Sequence, residues 1–415
     1  MMGLMRKGRQ IGVKIDSDSG IRAAYIKFNN VVQEITRVRS MRADMLDGGP
    51  EAYVENFLRI TDPDPVLIMS FHRSPKKDEF LKDGRIEAVS YYWAPRISVS
   101  SLLLRMVATL KMAMKLIRFR PTRILCAYAS FPLWICYLVS RIYSLPLVCS
   151  RHTRFQTEGD PFYRRLEFAI DRWVFRRVAG VLCHGPYLKQ LMIDMKVPPS
   201  RVFEFNWAFK HMKAGRVADI AGADLMDSPG ATALLFIGRI ESYKGVFDLL
   251  DSCTDRMRRN RLIKLVYAGA GNDLLRLKKA IADRDLDKQA VCLGKVPHDA
   301  LAGLISRSYL VITPTQSRFP EGRCMATMEG LIMGKPVIAP DFGPFPYLVK
   351  HERNGLMYKA DSVEDLSRQI SRALDDHDLY ERMCAGATDT GARLREPPVS
   401  FLEAIKSAFG EVRGN

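Results

Sequence analysis

Two α/β domains, each a parallel sheet covered by helices in the Rossmann-like manner, are predicted for this 415-residue chain from three observations. First, its length and 47% hydrophobic content exceed what one core usually serves, so two units of about 200 residues are expected. Second, short apolar runs alternate throughout with stretches of helical period, the pattern of parallel strands buried under helices. Third, the stretch NWAFKHMKAGRVADIAGADLMDSPG, residues 206 to 230, has little periodicity and ends in a turn-forming Ser-Pro-Gly.

In the first half the strands are read at PVLIMSF (65 to 71), IEAVSYYW (86 to 93), RILCAYA (123 to 129), LPLVCS (145 to 150) and AGVLCH (179 to 184). In the second they are ALLFIG (233 to 238), IKLVYAG (263 to 269), AVCLG (290 to 294), YLVITP (309 to 314) and KPVIAP (335 to 340). The start admits two readings: IGVKI (11 to 15) as first strand, or a beginning near Gly48-Gly49 ahead of the helical PEAYVENFL. The expected division is a first domain over 1–205, a linker over 206–230, a second domain over 231–395, and a C-terminal helix over 396–415, with a return to the first domain as one option.

ILCAYASFPLWICYLVSRIYSLPLVC (124 to 149) is apolar enough to suggest a membrane span. Pro132 and the Ser-Leu-Pro at 144 to 146 instead divide it into strand, helix of about 12 residues and strand. The N-terminus is basic but lacks the apolar core of about 7–15 residues that marks a signal peptide, so a cytoplasmic location is expected. Eight scattered cysteines without Cys-x-x-Cys spacing read as reduced and buried.

The net charge of +17 is uneven: residues 1 to 210 hold 34 Lys+Arg against 19 Asp+Glu, the remainder 29 against 27. A basic first half suits an anionic partner or simply a solubilising surface. The segments 102 to 120 and 163 to 177 read as helices with apolar stripes and basic faces. The stripes are read as core-facing, and the basic faces as a place for peripheral attachment to acidic lipids. Nucleic acid fits the charge alone, since neither zinc-finger spacing nor an RNP-like aromatic motif is present.

Chemistry concentrates in the second half. The strand ALLFIG ends in Gly238-Arg239, and IESYKG places Lys244 and Gly245 where the next helix begins. Two cations beside a helix N-terminus at the carboxyl edge of a parallel sheet make a diphosphate site, although Arg and Lys also decorate such loops idly. After YLVITP, a helix is expected from about 322 to 333, with Glu321 at its mouth and Glu329 eight residues on. Eight residues at ~1.5 Å rise span roughly 12 Å, about the reach from sugar to ribose in a nucleotide diphosphate sugar. On spacing alone, a dipole-complementing Glu and an unrelated Glu fit as well.

The strings GRIESYKG, YAGAGND, LGKVPHDAL, TPTQSRFPEGRCMATMEGLIMGKPVIAPDFG and ERNGLMY together resemble the group 1 (family 4) glycosyltransferases, over residues 234 to 358, with Glu321 and Glu329 as the Glu-x7-Glu signature. The resemblance implies a GT-B architecture, two Rossmann-like domains with parallel sheets facing a central cleft, and transfer from a nucleotide diphosphate sugar with retention. It implies that Arg239 and Lys244 hold the donor pyrophosphate, Glu329 the ribose and Glu321 the donor sugar. Gly238 and the N–H groups of Gly322, Arg323 and Cys324 would line sugar and phosphate. Gly269, Gly271 and the segment 293 to 296, including Leu293 and Val296, would wall the base. LPLVCSRHTRF resembles the family's strand followed by histidine, so His152 would face the sugar; the other histidines, His184 among them, are left as structural. DFGPFPYLV departs from the family pattern through Pro344 and Tyr347, as does Phe205-Asn206-Trp207, which puts an unusual sugar in view.

No cofactor or metal is expected. The Asp-x-Asp pairs at 16 to 18, 62 to 64, 283 to 285 and 285 to 287 read as solvated turns, and the fixed Arg and Lys charges replace a metal clamp. The acceptor is expected to be lipid-linked or polysaccharide and to meet the basic first half. Two rival readings keep the donor half but not the reaction: a nucleotide-sugar epimerase of the same architecture, and a non-catalytic binding module.

Overall fold

The computed structural model describes residues 22–28, 31–40, 54, 57–59, 61–62, 64–72, 77–93, 99–151, 162–206, 209, 212, 222–396 and 398–410. Its strands form two sheets. The first has the order β3 (Glu79–Asp83), β4 (Ile86–Tyr92), β2 (Val66–His72), β1 (Ala23–Phe28), β5 (Arg123–Cys126), β6 (Leu147–Arg151), β7 (Gly180–His184) and β8 (Val202–Phe205). The second has the order β11 (Ala290–Gly294), β10 (Ile263–Ala268), β9 (Thr232–Ile237), β12 (Leu310–Ile312), β13 (Val337–Pro340) and β14 (Gly355–Tyr358).

The helices over the first sheet are α1 (Val31–Ser40), α2 (Val99–Phe119), α3 (Phe131–Ile142), α4 (Phe162–Phe175) and α5 (Pro186–Asp194). Those of the second half are α6 (Val246–Arg259), α7 (Leu274–Ala282), α8 (His298–Arg307), α9 (Met325–Ile332), α10 (Phe345–Leu348), α11 (Val363–Asp375) and α12 (His377–Arg395). The last helix, α13 (Phe401–Ala408), packs on β7 and β8 of the first sheet.

Strands buried on both faces explain the continuous apolar runs. Ala23, Tyr25, Val66 and Ile68 enter one core, while their neighbours Ala24, Ile26, Leu67 and Met69 enter the core on the opposite face, as the two-residue period of a strand requires. In the second sheet Leu235, Val266 and Val311 alternate in the same way with Leu234, Leu265 and Leu310. One apolar cluster is shared by both halves and draws on Leu182, Phe205, Leu331, Ile332 and Phe401. Phe401 lies 4.9 Å from Phe205, and the Asn206 N–H donates to the Val399 carbonyl at 3.1 Å. The C-terminal segment is thereby tied into the first sheet.

Three expectations need correction. The central strand β1, AAYIKF, went unread because two alanines and a lysine do not look like a core strand. Lys27 is nevertheless buried and ion-paired with Glu34 on α1. The alternative start at IGVKI, residues 11 to 15, lies outside the described residues. The first sheet is not purely parallel either: β3 pairs antiparallel with β4 at its edge, where the charged Glu79, Lys82 and Asp83 discourage further pairing.

The third correction concerns the stripes on α2 and α4. In α2, Met112 and Leu116 are buried, but Leu103, Leu110 and Ile117 are exposed, so the helix is apolar on both its core and solvent sides. Residues 124 to 149 fold as β5, the 12-residue α3 and β6, and among the described residues no helix is long and apolar enough to cross a membrane.

Candidate functional site

Strand order reverses direction between β9 and β12, and the carboxyl ends of strands at such a switch point part to leave a crevice. A cavity of about 360 Å³ lies there, lined among others by Gly238, Arg239, Lys244, Glu321, Arg323 and Cys324. Three loops build it.

The first follows β9. Gly245 has φ +71° and caps α6, and a Cβ there would lie 1.8 Å from the Pro314 carbonyl oxygen. Only glycine fits this approach of the first loop to the third. The second loop, after β10, is stitched to the first by hydrogen bonds. The Gly238 and Ile240 N–H groups donate to Ala268 and Ala270 carbonyls at 3.1 Å each, and the Ser242 N–H donates to Asp273 Oδ2 at 2.7 Å. A Cβ at Gly269 or Gly271 would fall 1.7 or 2.2 Å from the Gly238 or Ile240 carbonyl oxygen. This close backbone approach is the local reason for the Gly-x-Gly. Gly269 also bridges to Gly294, and Leu293 and Val296 beyond it rest half-buried on the shared core.

The third loop runs from β12 to α9. Phe319 stacks on Tyr243 at 4.7 Å and 7°, and the Gln316 side chain donates to Asp248 at 2.7 Å. Lys244 Nζ sits 4.2 Å from the centre of the Phe319 ring and pairs with the carboxylate of Glu321. The Arg239 guanidinium lies 5.4 Å from Tyr243 and 5.7 Å from Phe319. Phe319 therefore faces both cations and Tyr243 faces Arg239, contacts worth about 0.5–2 kcal/mol each. Sequence reading missed this platform, although both aromatics stand beside the motif residues.

The helix expected from about 322 begins three residues later, at Met325, with Cys324 in extended conformation as its N-cap. Gly322 to Cys324 thus form a strap along the cavity instead of a first turn. The backbone N–H groups of Gly322 and Cys324 donate to no described residue, as an anion at a helix N-terminus would require. Burial pushes the Cys324 thiol up to about 11, so it stays a neutral thiol and not a nucleophile at physiological pH.

Glu329 lies in α9, which packs on β12 and β13 through Gly330, where a Cβ would press on Val311 and Val337 at 3.1 Å. Its carboxyl is buried, has no hydrogen-bond partner among the described residues, and is pushed up to about 7 by desolvation. A carboxyl raised in the folded state stabilises that state most below its unfolded value, and the contribution is lost as pH rises through the folded value. Glu329→Gln is therefore expected to raise stability by about 3 kcal/mol near pH 8 and by no more than about 1 kcal/mol near pH 5. Thermal melts of both proteins across this range check it; equal midpoints near pH 8 would refute it.

His152 lies outside the described residues, directly after the end of β6 at Arg151. The first half still reaches the site through a residue left as structural. His184, at the carboxyl end of β7, stacks on Phe205 at 4.9 Å and 7°. With Tyr187 and Asn206 it lines a narrow crevice against Gly322, Arg323, Pro344 and Tyr347 from the second half. Tyr187 and Tyr347 lie 5.8 Å apart across it. Pro344, Tyr347 and Asn206, which all belong to stretches that depart from the family pattern, therefore sit where the halves meet. Nothing in the spacing around His184 announces this; only the return of α13 to the first sheet and the shared core bring it there.

Of the Asp-x-Asp pairs, Asp283 binds Lys279 at 2.8 Å and Asp285 occupies a turn with φ +57°. Among the described residues no group of three or more His, Cys, Asp or Glu is arranged to hold a metal ion.

Two predominantly parallel sheets under helices, with an anion-ready cavity at the switch point of the second, define a protein of GT-B architecture. HepE of Anabaena, solved with UDP, shares this fold at TM-score 0.67 and 15% identity, over 94% of this chain and 99% of that one. Residues 228–390 match the family model for glycosyl transferases group 1, and residues 48–203 that for glycosyltransferase family 4. The chain belongs to the group 1 glycosyltransferases. Among its relatives, alpha-D-kanosaminyltransferase of Streptomyces kanamyceticus is 26% identical over 261 residues, 60% of this chain and 67% of that protein. Alpha-monoglucosyldiacylglycerol synthase of Streptococcus pneumoniae is 23% identical over 288 residues, 65% of this chain and 63% of that protein.

Proposed function

We propose that this glycosyltransferase moves a hexose-type sugar from a nucleotide diphosphate sugar to an acceptor hydroxyl, with retention at the anomeric carbon. The observation that carries this reading is the convergence of Arg239, Lys244, Glu321, Arg323 and Cys324 on one cavity at the switch point. In this reading the diphosphate lies between the two cations and the N–H groups of the strap, and takes Lys244 from its pairing with Glu321. Glu321, so released, accepts hydrogen bonds from sugar hydroxyls, and Glu329 accepts from the ribose.

The acceptor hydroxyl attacks from the face the diphosphate leaves. The C1–O bond to phosphate breaks as the new C1–O bond forms, and the departing phosphate oxygen takes the acceptor's proton. Arg239 and Lys244 stabilise the charge that grows on the leaving group, which is the work a metal clamp does elsewhere. His152 hydrogen-bonds the sugar from the first half. No protein nucleophile is needed, in keeping with the neutral Cys324. An inverted anomeric centre in the product, read by NMR, would overturn this stereochemistry.

The acceptor in this reading is lipid-linked or polysaccharide, for cell-envelope polysaccharide, lipopolysaccharide or glycolipid synthesis. The basic first half holds the protein at the inner, anionic face of the cytoplasmic membrane. The test is a thermal-shift series with UDP-, GDP-, ADP- and TDP-sugars, since a ligand that binds only the native state raises its melting point. One of them is expected to stabilise the protein by roughly 3 kcal/mol at a hundredfold excess over its Kd, and less in Glu329→Ala. No shift with any of the four, together with no release of nucleotide when acceptor lipid is added, would sink the donor assignment.

A further inference from the structure

The three helices α2, α3 and α4 lie side by side on the outside of the first sheet, and each turns apolar side chains to solvent. On α2, Leu103, Val107, Leu110, Met114 and Ile117 are all exposed, Leu110 at 59%. Their steps of four, three, four and three residues place them on one stripe about 21 Å long. On α4, Phe162, Leu166, Ala169 and Trp173 repeat the same steps and are exposed, Phe162 at 80%. Between them, α3 adds Leu138 and Ile142, one turn apart. Tyr137 of α3 meets Trp173 edge-on at 5.3 Å, joining the second and third helices. Contiguous exposed apolar surface of this kind marks an interaction site.

Charge selects the partner. Arg177 lies over Trp173 at 4.2 Å. Arg172 and Arg176 both anchor their Nε groups on the Met195 carbonyl, at 3.3 and 2.8 Å, which holds two guanidinium groups side by side. With Phe168, Ala169 and Trp173 they line a surface recess of about 430 Å³. Of the two acidic residues on α4, Asp171 is buried and bonded to Trp134 Nε1 at 2.7 Å. A second copy docking here about a twofold axis would set arginines against arginines. Lipid headgroups present phosphates to those arginines and acyl chains to the stripes.

We propose that α2, α3 and α4 form a membrane-insertion face that sinks its apolar stripes among the acyl chains of an anionic bilayer, with the Arg172 and Arg176 recess on a lipid phosphate. This rests on the surface attachment proposed above and changes its physics: apolar insertion, not charge alone, holds the protein. The face lies on the helical side of the first sheet, so docking leaves the carboxyl edges of the strands open to the acceptor.

The test uses the full chain with vesicles of phosphatidylcholine containing one-third phosphatidylglycerol, and of phosphatidylcholine alone. Binding to the anionic vesicles is expected to persist in part at about 0.5 M salt, where exposed charge pairs are screened. Tryptophan emission should shift to shorter wavelength on binding, with that change lost in Trp173→Phe. The double variant Leu110→Ser/Leu166→Ser should bind at least about a hundredfold more weakly, the loss expected when two leucines are no longer buried, with an unchanged melting midpoint because both sites are exposed. Its stabilisation by nucleotide sugar should also be unchanged. Complete release by salt without an emission shift overturns insertion and leaves electrostatic attachment standing; no binding at all overturns both. A dimer in light scattering that Leu110→Ser disperses would assign the face to self-association and overturn the proposal.

Discussion

Lys244→Ala is expected to lower kcat by roughly 10²–10³-fold, the usual loss when one fixed donor to a developing oxyanion is removed. Lys244 meets Glu321 and the Phe319 ring at the cavity, so its charge is already positioned before substrate arrives and costs little reorganisation on reaction. Because the charge on the leaving diphosphate grows only as the bond breaks, kcat and kcat/KM should fall together. A purely structural role predicts something else. Glu321 is 8% exposed, and removing its partner would leave a buried carboxylate uncompensated and mainly lower the melting point. Steady-state kinetics with melting curves separate the two, and Lys244→Ala/Glu321→Gln relieves the carboxylate without restoring turnover. A kcat within about threefold of the parent would show that Lys244 does not stabilise the leaving group.

Gly245→Ala is expected to destabilise the second half by about 3–5 kcal/mol, from left-handed backbone strain plus a clash with a neighbouring main chain. The added methyl would sit 1.8 Å from the Pro314 carbonyl oxygen, and that oxygen belongs to the loop carrying Phe319 and Glu321. To relieve the overlap the first and third loops must part, which dismantles the cavity along with the helix cap. Gly84→Ala is the control. Gly84 has φ +54° but open space around its Cβ and lies far from the cavity, in the turn between β3 and β4, so it isolates the backbone term at about 1–2 kcal/mol. Urea unfolding of the two variants should differ accordingly, and donor-induced stabilisation should vanish only in Gly245→Ala. Equal losses would mean that the loops are free to separate and that the contact is not essential.

The two α/β units and most of their strands were legible because a strand buried on both faces must be apolar along its whole length, whatever surrounds it. Val66–His72 and Thr232–Ile237 are such strands. AAYIKF was not, since its membership depends on Glu34 arriving from α1 to pair with Lys27. Within the site, Arg239, Lys244, Glu321 and Glu329 could be picked out because local spacing sets their positions: a strand end, a helix start and two further points along one segment. The platform of Tyr243 and Phe319 joins residues from two loops and has no spacing to read.

By itself the sequence determined the class of fold, the family, and which side chains gather at the carboxyl edge of β9 and β12, because these follow from periodicity and from motifs contiguous in the chain. Tertiary structure alone decided three further matters. His184 reaches the crevice between the halves because the C-terminal helix and a shared core bring the two sheets together. Glu329 is raised toward neutrality because α9 is pressed against the sheet and its carboxyl is withdrawn from water. The stripes of α2 and α4 face solvent because periodicity reports that a helix has an apolar side but not what covers it; that depends on whether another element packs there, and no described element does.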